Sequence, residues 1–237
     1  MNNYFITATG TDVGKTIVTA GFLRYLRNSG VNAISMKPAQ TGAERIDGNW
    51  IAPDLEVHWK AAGLSFTPEE QKVMAPYLYK PACSPHLAGR MANRYPDITH
   101  ILDCAGKLND QYECVLVEGA GGIYAPITET KTMLDLMKAL GYPVFLVAHR
   151  DLGTINHTLL SIDAIRGAGL ELMGVILNET EDVEPDYIKL DNPSAIESFG
   201  NTRILGNIDY LAELEADPNA AWTQFESNFP ALPDIFS

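Results

Sequence analysis

A doubly wound α/β fold, with a mostly parallel sheet and helices on both faces, is the class this sequence predicts. Three observations predict it. Short runs that are apolar on both faces recur along the chain, as buried parallel strands require. Longer stretches with helical spacing separate them, and strands alternating with helices point to parallel sheets. Polar and glycine-rich residues gather just after the apolar runs, at the strand ends where such sheets bind ligands.

The first strand is expected at Tyr4–Thr7 and the first helix at Lys15–Ser29, closed by Gly30. Ala33–Lys37 reads as a second strand, Cys114–Val117 as a third, and Val144–Ala148 as a fourth. Gly174–Leu177 and Arg203–Leu205 supply a fifth and a sixth. Helices are expected between them at Pro85–Asn93, Ile98–Leu108, Thr132–Leu140 and Asn156–Arg166. Ala43–Pro53 and Glu179–Pro193 read as the least structured stretches. The chain has 237 residues with no repeat and no low-complexity linker, so one domain over 1–237 is expected.

Composition narrows the function. Hydrophobic residues make up 46%, enough for a sizeable core. A formal net charge of −13 disfavours nucleic acid and anionic membranes as partners. A bound polyphosphate must then be held by local donors, a few lysines and a metal ion. Three scattered cysteines, Cys83, Cys104 and Cys114, give neither a disulfide framework nor a zinc spacing and suit a reducing cytoplasm. The opening MNNYFITATG lacks a basic leader followed by an apolar run, so no signal peptide is expected.

The chemistry starts at "TATGTDVGKT", Thr7–Thr16, which follows the first strand and ends in Gly-Lys-Thr. A strand, a glycine-rich turn and a helix opening with Lys-Thr form an anion site of the P-loop NTPase type. Backbone N–H groups of Val13, Gly14, Lys15 and Thr16 point into the turn at the positive end of the helix dipole. On this reading Lys15 can reach the β- and γ-phosphates of a nucleotide and the Thr16 hydroxyl can ligate Mg²⁺; the alternative is a plain strand-to-helix turn with a solvent lysine. The usual loop has its first glycine at the position of Thr9; here glycine stands one residue later, at Gly10.

Magnesium takes further oxygen ligands. Glu118, closing the third strand before Gly119-Ala120-Gly121-Gly122, is one candidate, with a turn-capping carboxylate as the alternative. Asp54 is the other, although taken alone, after Pro53, it reads rather as a helix N-cap. Lys37, at a strand's carboxyl end, is placed either to stabilise developing negative charge or to snorkel. Gly153–His157 looks like a helix start capped by Thr154 or Asn156, with His157 on the helix face. Ser84-Pro85-His86 is a helix opening with serine as cap and proline first. No Ser–His–Asp arrangement, HExxH or Cys/His metal cluster appears.

Taken together, "GTDVGKT" (Gly10–Thr16), "KPAQTG" (Lys37–Gly42), Asp54, "SPH" (Ser84–His86), "VEGAGG" (Val117–Gly122), "DLGTINH" (Asp151–His157) and "LNET" (Leu177–Thr180) resemble the dethiobiotin synthetase family in order and spacing. That family's loop typically reads Thr-Gly-Thr-Asp-Thr-x-Val-Gly-Lys-Thr, one residue longer than the standard form. Ala8 stands here for its first glycine and Gly10 for its aspartate.

The resemblance implies roles for matching positions. Lys37, Thr11 and Lys15 would be catalytic, Thr11 touching the phosphoryl group in transfer. ATP would lie along Asp12, Val13, Gly14, Lys15, Thr16 and Ile17, with Asp54, Glu118, Gly119, Ala120 and Gly121 beside its phosphates. Asn178 and Glu179 would face adenine, as would Asp209, Tyr210 and Leu211, although the family commonly has proline where Asp209 stands. Thr16, Asp54 and Glu118 would hold Mg²⁺. Thr41 would touch the substrate, and the Gly153, Thr154 and Asn156 helix start would take its carboxylate across a homodimer.

The implied reaction joins CO₂ to 7,8-diaminononanoate at the expense of ATP, through a carbamate and a carbamic–phosphoric anhydride, to give dethiobiotin, ADP and phosphate. Phosphoryl transfer rests on positioning and charge neutralisation, and two lysines with Mg²⁺ suit it. A switch ATPase of the MinD/ParA kind is the alternative of the same fold. Those loops carry an early lysine, where this chain has Thr9, Gly10 and Thr11. A small-molecule kinase would need an arginine-rich lid, and no arginine cluster is present.

Overall fold

The computed structural model describes residues 3–230 and 232–236; Met1, Asn2, Ala231 and Ser237, within the domain expected over 1–237, lie outside them. In chain order the elements are β1 (Tyr4–Ala8), α1 (Lys15–Asn28), β2 (Ala33–Met36), β3 (Ala39–Thr41), β4 (Glu44–Ile46), β5 (Asn49–Ile51) and α2 (Pro53–Ala61). There follow α3 (Pro68–Met74), β6 (Tyr77–Tyr79), α4 (Pro85–Met91), α5 (Ile98–Asn109), β7 (Cys114–Glu118) and α6 (Met133–Leu140). The chain continues through β8 (Val144–His149), α7 (Thr154–Gly167), β9 (Leu172–Asn178), α8 (Tyr187–Gly200), β10 (Ile204–Ile208), α9 (Pro218–Ser227) and α10 (Leu232–Ile235).

The main sheet has six strands in the order β10-β9-β8-β1-β7-β2, every pair parallel. All six runs read as strands in the sequence are in it. They are buried on both faces because helices cover both, which is why they carry no polar alternation. The chain leaves β1 towards β2 on one side and runs from β8 to β10 on the other. The crevice at the carboxyl end of β1 is therefore a switch point of the topology, where ligands bind in such sheets.

Two stretches that read as unstructured are ordered. Within Ala43–Pro53, β4 and β5 form an antiparallel hairpin around Asp47-Gly48. Both turn residues have positive φ, 50° and 85°, the requirement of a two-residue hairpin turn. The Glu179–Pro193 stretch includes the start of α8. The Asp186 side chain accepts N–H bonds from Ile188 and Lys189 and caps this helix, which passes through Pro193.

The end of the described chain closes the core. Phe22 of α1 lies with its ring centroid 5.0 Å from Phe145, 5.4 Å from Phe229 and 5.2 Å from Phe236. Such edge-on pairs contribute about 1 kcal/mol each beyond burial. Helix α9 approaches α1 at Gly21, where an added Cβ would lie 2.2 Å from the Phe225 ring, so only glycine fits. Among the described residues no helix is long and apolar enough to cross a membrane.

Candidate active site

The loop between β1 and α1 is shaped for an anion. Asp12 has φ 58° and Gly14 φ 93°, so the chain doubles back over its own N–H groups. Gly14 occupies the N-cap position of α1, no side chain caps it, and the first turn holds no acidic residue. The positive end of a 14-residue helix is thus left for a ligand. Lys15 folds back along the loop, its Nζ donating to the Gly10 carbonyl at 3.0 Å. Burial, with the neighbouring charge of Lys37, lowers the Lys15 ammonium to about 8.

Asn178, at the end of β9, braces this loop. Its Nδ2 donates to the Val13 carbonyl at 3.0 Å. A Cβ on Gly14 would sit 2.1 Å from that nitrogen, so the glycine is required by close approach as well as by φ. Because Val13 O can only accept, the amide nitrogen is committed to the loop and Oδ1 is the atom left to accept from a ligand.

Behind the loop lies a knot of charge. Lys37, just past β2, places its Nζ 2.6 Å from Glu118 Oε1, 2.6 Å from Asp54 Oδ2 and 3.0 Å from the Gly119 carbonyl. Thr16 Oγ1 donates to the same Glu118 oxygen at 3.2 Å. The other oxygen, Oε2, accepts from His58 Nε2 at 2.8 Å. Glu118 and His58 are both fully buried. Burial pushes the Glu118 carboxyl up, but the Lys37 charge and the His58 hydrogen bond outweigh it and hold it well below the usual carboxylate range. For Lys37, burial lowers the ammonium, and the two carboxylates more than reverse that.

Asp54 is not the cap of α2. Ala52 holds the N-cap position and Pro53 the first helical one, so Asp54 falls in the first turn and turns its carboxylate to Lys37. Gln40 fixes it there, donating from Nε2 to Asp54 Oδ2 and accepting the Asp54 N–H, both at 3.3 Å.

A cavity of about 960 Å³ opens over this knot. Thr11, Asp12, Gly14, Lys15, Thr16, Lys37, Thr41, Asp54, Glu118, Ala120 and Gly121 line it. So do Gln40, Cys83, Ser84, Tyr124, Leu160 and Ser161, which sequence reasoning did not place there. Asp54 Oδ2 and Glu118 Oε1 both meet the Lys37 ammonium, and Thr16 Oγ1 lies 3.2 Å from Glu118 Oε1, so this cluster of oxygens suits a cation. Among the described residues there is no group of three or more His, Cys, Asp or Glu able to cage a metal. Magnesium fits such a sparse set, since it keeps waters and takes phosphate oxygens beside one or two carboxylates.

Other expected site residues lie elsewhere. Val13 is buried in the core, and Ile17 is half-buried on α1. Glu179 and Asp209 are engaged in ion pairs: Glu179 with Lys189, which also meets Asp151 at 3.1 Å, and Asp209 with the buried Arg150 at 2.7 Å. Tyr210 and Leu211 follow Asp209 at the same edge, outside the cavity.

At the start of α7 the cap is neither Thr154 nor Asn156. Gly153, with φ 96°, takes that position, and the Thr154 hydroxyl donates to the His149 carbonyl at 2.6 Å. Asn156 and His157 are exposed, and Leu160 and Ser161 further along α7 reach the cavity. Ser84 holds the N-cap position of α4, yet its hydroxyl bonds His86 Nδ1 at 2.9 Å instead of a backbone N–H.

Comparison with known proteins agrees with this geometry. Residues 2–218 match a family model described as an AAA domain. The chain is 37% identical over 212 residues to the ATP-dependent dethiobiotin synthetase BioD of Anoxybacillus flavithermus, covering 89% of this chain and 93% of that protein. It is 37% identical over 216 residues to the BioD of Halalkalibacterium halodurans, covering 90% and 87%. It is 39% identical over 193 residues to the BioD 2 of Haemophilus influenzae, covering 81% and 97%. The MinC:MinD cell division complex of Aquifex aeolicus superposes with a TM-score of 0.61 at 14% identity, covering 99% of this chain and 92% of that one. A ParA family ATPase from Chlorobium tepidum gives 0.55 at 13%, covering 99% and 93%. At those identities the likeness is one of fold alone.

Proposed function

The chain belongs to the dethiobiotin synthetase family, and we propose that the cavity above β1 and β7 is where its ATP-dependent ring closure takes place. It is a ligase that makes dethiobiotin with ATP as co-substrate. The observation that carries the assignment of the site is the meeting of Lys15, Thr16, Lys37, Asp54 and Glu118 around one cavity.

The reaction of this family fits these groups. One amine of 7,8-diaminononanoate takes up CO₂ and becomes a carbamate. A carbamate oxygen attacks the γ-phosphorus, the bond to ADP breaks, and a carbamic–phosphoric anhydride forms. The second amine attacks the anhydride carbon, the C–O bond breaks, and phosphate leaves with the oxygen that came from CO₂. Lys15 and the loop N–H groups hold the polyphosphate, and Lys37 and Thr11 neutralise charge on the phosphoryl group in flight. Thr16, Asp54 and Glu118 would hold Mg²⁺, which neutralises phosphate charge when bound. The Asn178 Oδ1 atom faces the adenine amine in this reading, with Glu179 and Asp209–Leu211 along the base edge.

The substrate's carboxylate lies far from its amines. We assign it to the α7 start of a second subunit, Gly153, Thr154 and Asn156, in a homodimer. In support, Tyr124 and Leu160 line the cavity yet are 65% and 60% exposed, and Leu152 beside the helix start is 84% exposed. A second copy would cover these apolar side chains. A cytoplasmic location fits the cofactor supply and the free thiols.

Complementation tests the function. A biotin-requiring bacterial strain that lacks this single step should grow without added dethiobiotin when it carries this chain. Growth that still requires added dethiobiotin would count against the reading.

A further inference from the structure

His58 is not among the residues that line the cavity. It stands four residues after Asp54 on α2, so the two share one helix face, turned to the end of β7. Its ring is fully buried, and Nε2 meets Glu118 Oε2 at 2.8 Å. The carboxylate can only accept here, so Nε2 donates. Nδ1 has no partner among the described residues, so the Glu118 bond is the one polar contact that fixes this ring.

That single bond divides the labour of the carboxylate. Oε2 is taken from behind by His58. Oε1 is turned to the cavity, where Thr16 and Lys37 meet it. We propose that His58 is a positioning residue, which holds Glu118 so that it offers one oxygen, Oε1, to the nucleotide's divalent cation. A carboxylate held this way resists rotating to chelate with both oxygens. Small cations with strict octahedral demands suit one-oxygen contact, whereas larger ones such as Ca²⁺ accept chelation by both. His58 therefore favours Mg²⁺ over Ca²⁺ at this site. Hydrogen-bonded partners behind metal ligands commonly act in this way.

The inference rests on the Mg²⁺-nucleotide reading of the cavity, and the test separates the two. ADP binding is measured by calorimetry at a series of Mg²⁺ and of Ca²⁺ concentrations, in the natural protein and in His58→Leu, His58→Gln, Glu118→Gln and the Glu118→Gln/His58→Leu pair. His58→Leu should raise the Mg²⁺ midpoint about tenfold and narrow the preference for Mg²⁺ over Ca²⁺. His58→Gln, whose amide can donate in place of Nε2, should restore most of the difference. In the Glu118→Gln background His58→Leu should add little, because the histidine acts through that carboxylate. A merely structural histidine would lower the melting temperature and leave both midpoints in place, which would overturn the inference. Metal-independent ADP binding by the natural protein would overturn the Mg²⁺ reading and the inference with it. Should His58→Leu fail to fold, ¹⁵N spectra of the natural protein decide. The His58 ring signals should shift when Mg²⁺ is added to the ADP complex, and unchanged signals would overturn the proposal.

Discussion

The Lys37 ammonium lies 2.6 Å from Glu118 Oε1, with 6% of the Lys37 side chain and none of the Glu118 side chain exposed. Removing one member of such a buried pair strands the other. Lys37→Met should therefore lose about 3 kcal/mol of stability as well as activity, and Mg²⁺ with ADP should recover part of the loss by returning positive charge beside Glu118. Denaturant melts with and without the nucleotide measure this. A variant that is inactive yet as stable as the natural protein would show that the pair carries no buried charge.

Lys15 is different. Its Nζ has one hydrogen bond, to the Gly10 carbonyl, so little of the fold depends on it. Lys15→Ala should keep its melting temperature and lose turnover by a factor of about 100 or more, the usual effect of deleting a charge contact to a transition state. Near-normal turnover would remove the loop from the catalytic account.

Gly14 joins a left-handed turn to a close contact with Asn178. In Gly14→Ala the backbone penalty alone is about 1–2 kcal/mol, and the Cβ would meet Asn178 Nδ2 at 2.1 Å. Both stability and ADP affinity should fall. An alanine variant that binds ADP normally would mean that the Asn178–Val13 brace does not shape the site.

The thiols give a test by pH. Cys83 lines the cavity and is half-buried, whereas Cys104 and Cys114 are buried. Burial pushes the Cys114 thiol up to about 12. At pH 8 about one molecule in 10⁴ then carries the reactive thiolate there. Burial also raises Cys104. Iodoacetamide at pH 8 should label Cys83 in the native protein, ATP with the diamine should slow that labelling, and Cys114 should react after unfolding. Peptide mass mapping reads each site, and native labelling of Cys114 would contradict the burial.

Site sharing across a dimer is tested by mixing. Lys15→Ala subunits are paired with Asn156→Ala subunits, each weak alone. Each mixed dimer contains one site with both residues intact, so activity should return to about half by two-fold symmetry. Activity that stays at the weak level on mixing would place Asn156 in the service of its own subunit.

Much of this site is legible in the residues themselves. The six apolar runs fix the sheet, and Lys15, Lys37 and Glu118 each close or follow such a run, so strand ends bring them together. What escaped came from short-range signals that apolar periodicity ignores. Asp47-Gly48 is a hairpin turn, and Thr67-Pro68-Glu69-Glu70 is a capping box that opens α3. Without these signals the stretch before Asp54 reads as irregular and α3 goes unmarked, and nothing in the periodicity after Asp54 shows that His58 turns inward. Arg150 and Lys189 escaped for another reason: their partners Asp209 and Glu179 are 59 and 10 residues away, and only the fold brings them within bonding distance.

The central claim is carbamate-driven ring closure with ATP, and isotopes test it most directly. The protein is given 7,8-diaminononanoate, MgATP and CO₂ labelled with both carbon-13 and oxygen-18, and the products are weighed at early times, before exchange with water. Dethiobiotin should carry the carbon-13 in its ureido carbonyl with one labelled oxygen, and the released phosphate should carry the other, one phosphate per ring. Unlabelled phosphate released without dethiobiotin would mean that water, not a carbamate, attacks ATP in this cavity, and would contradict the account.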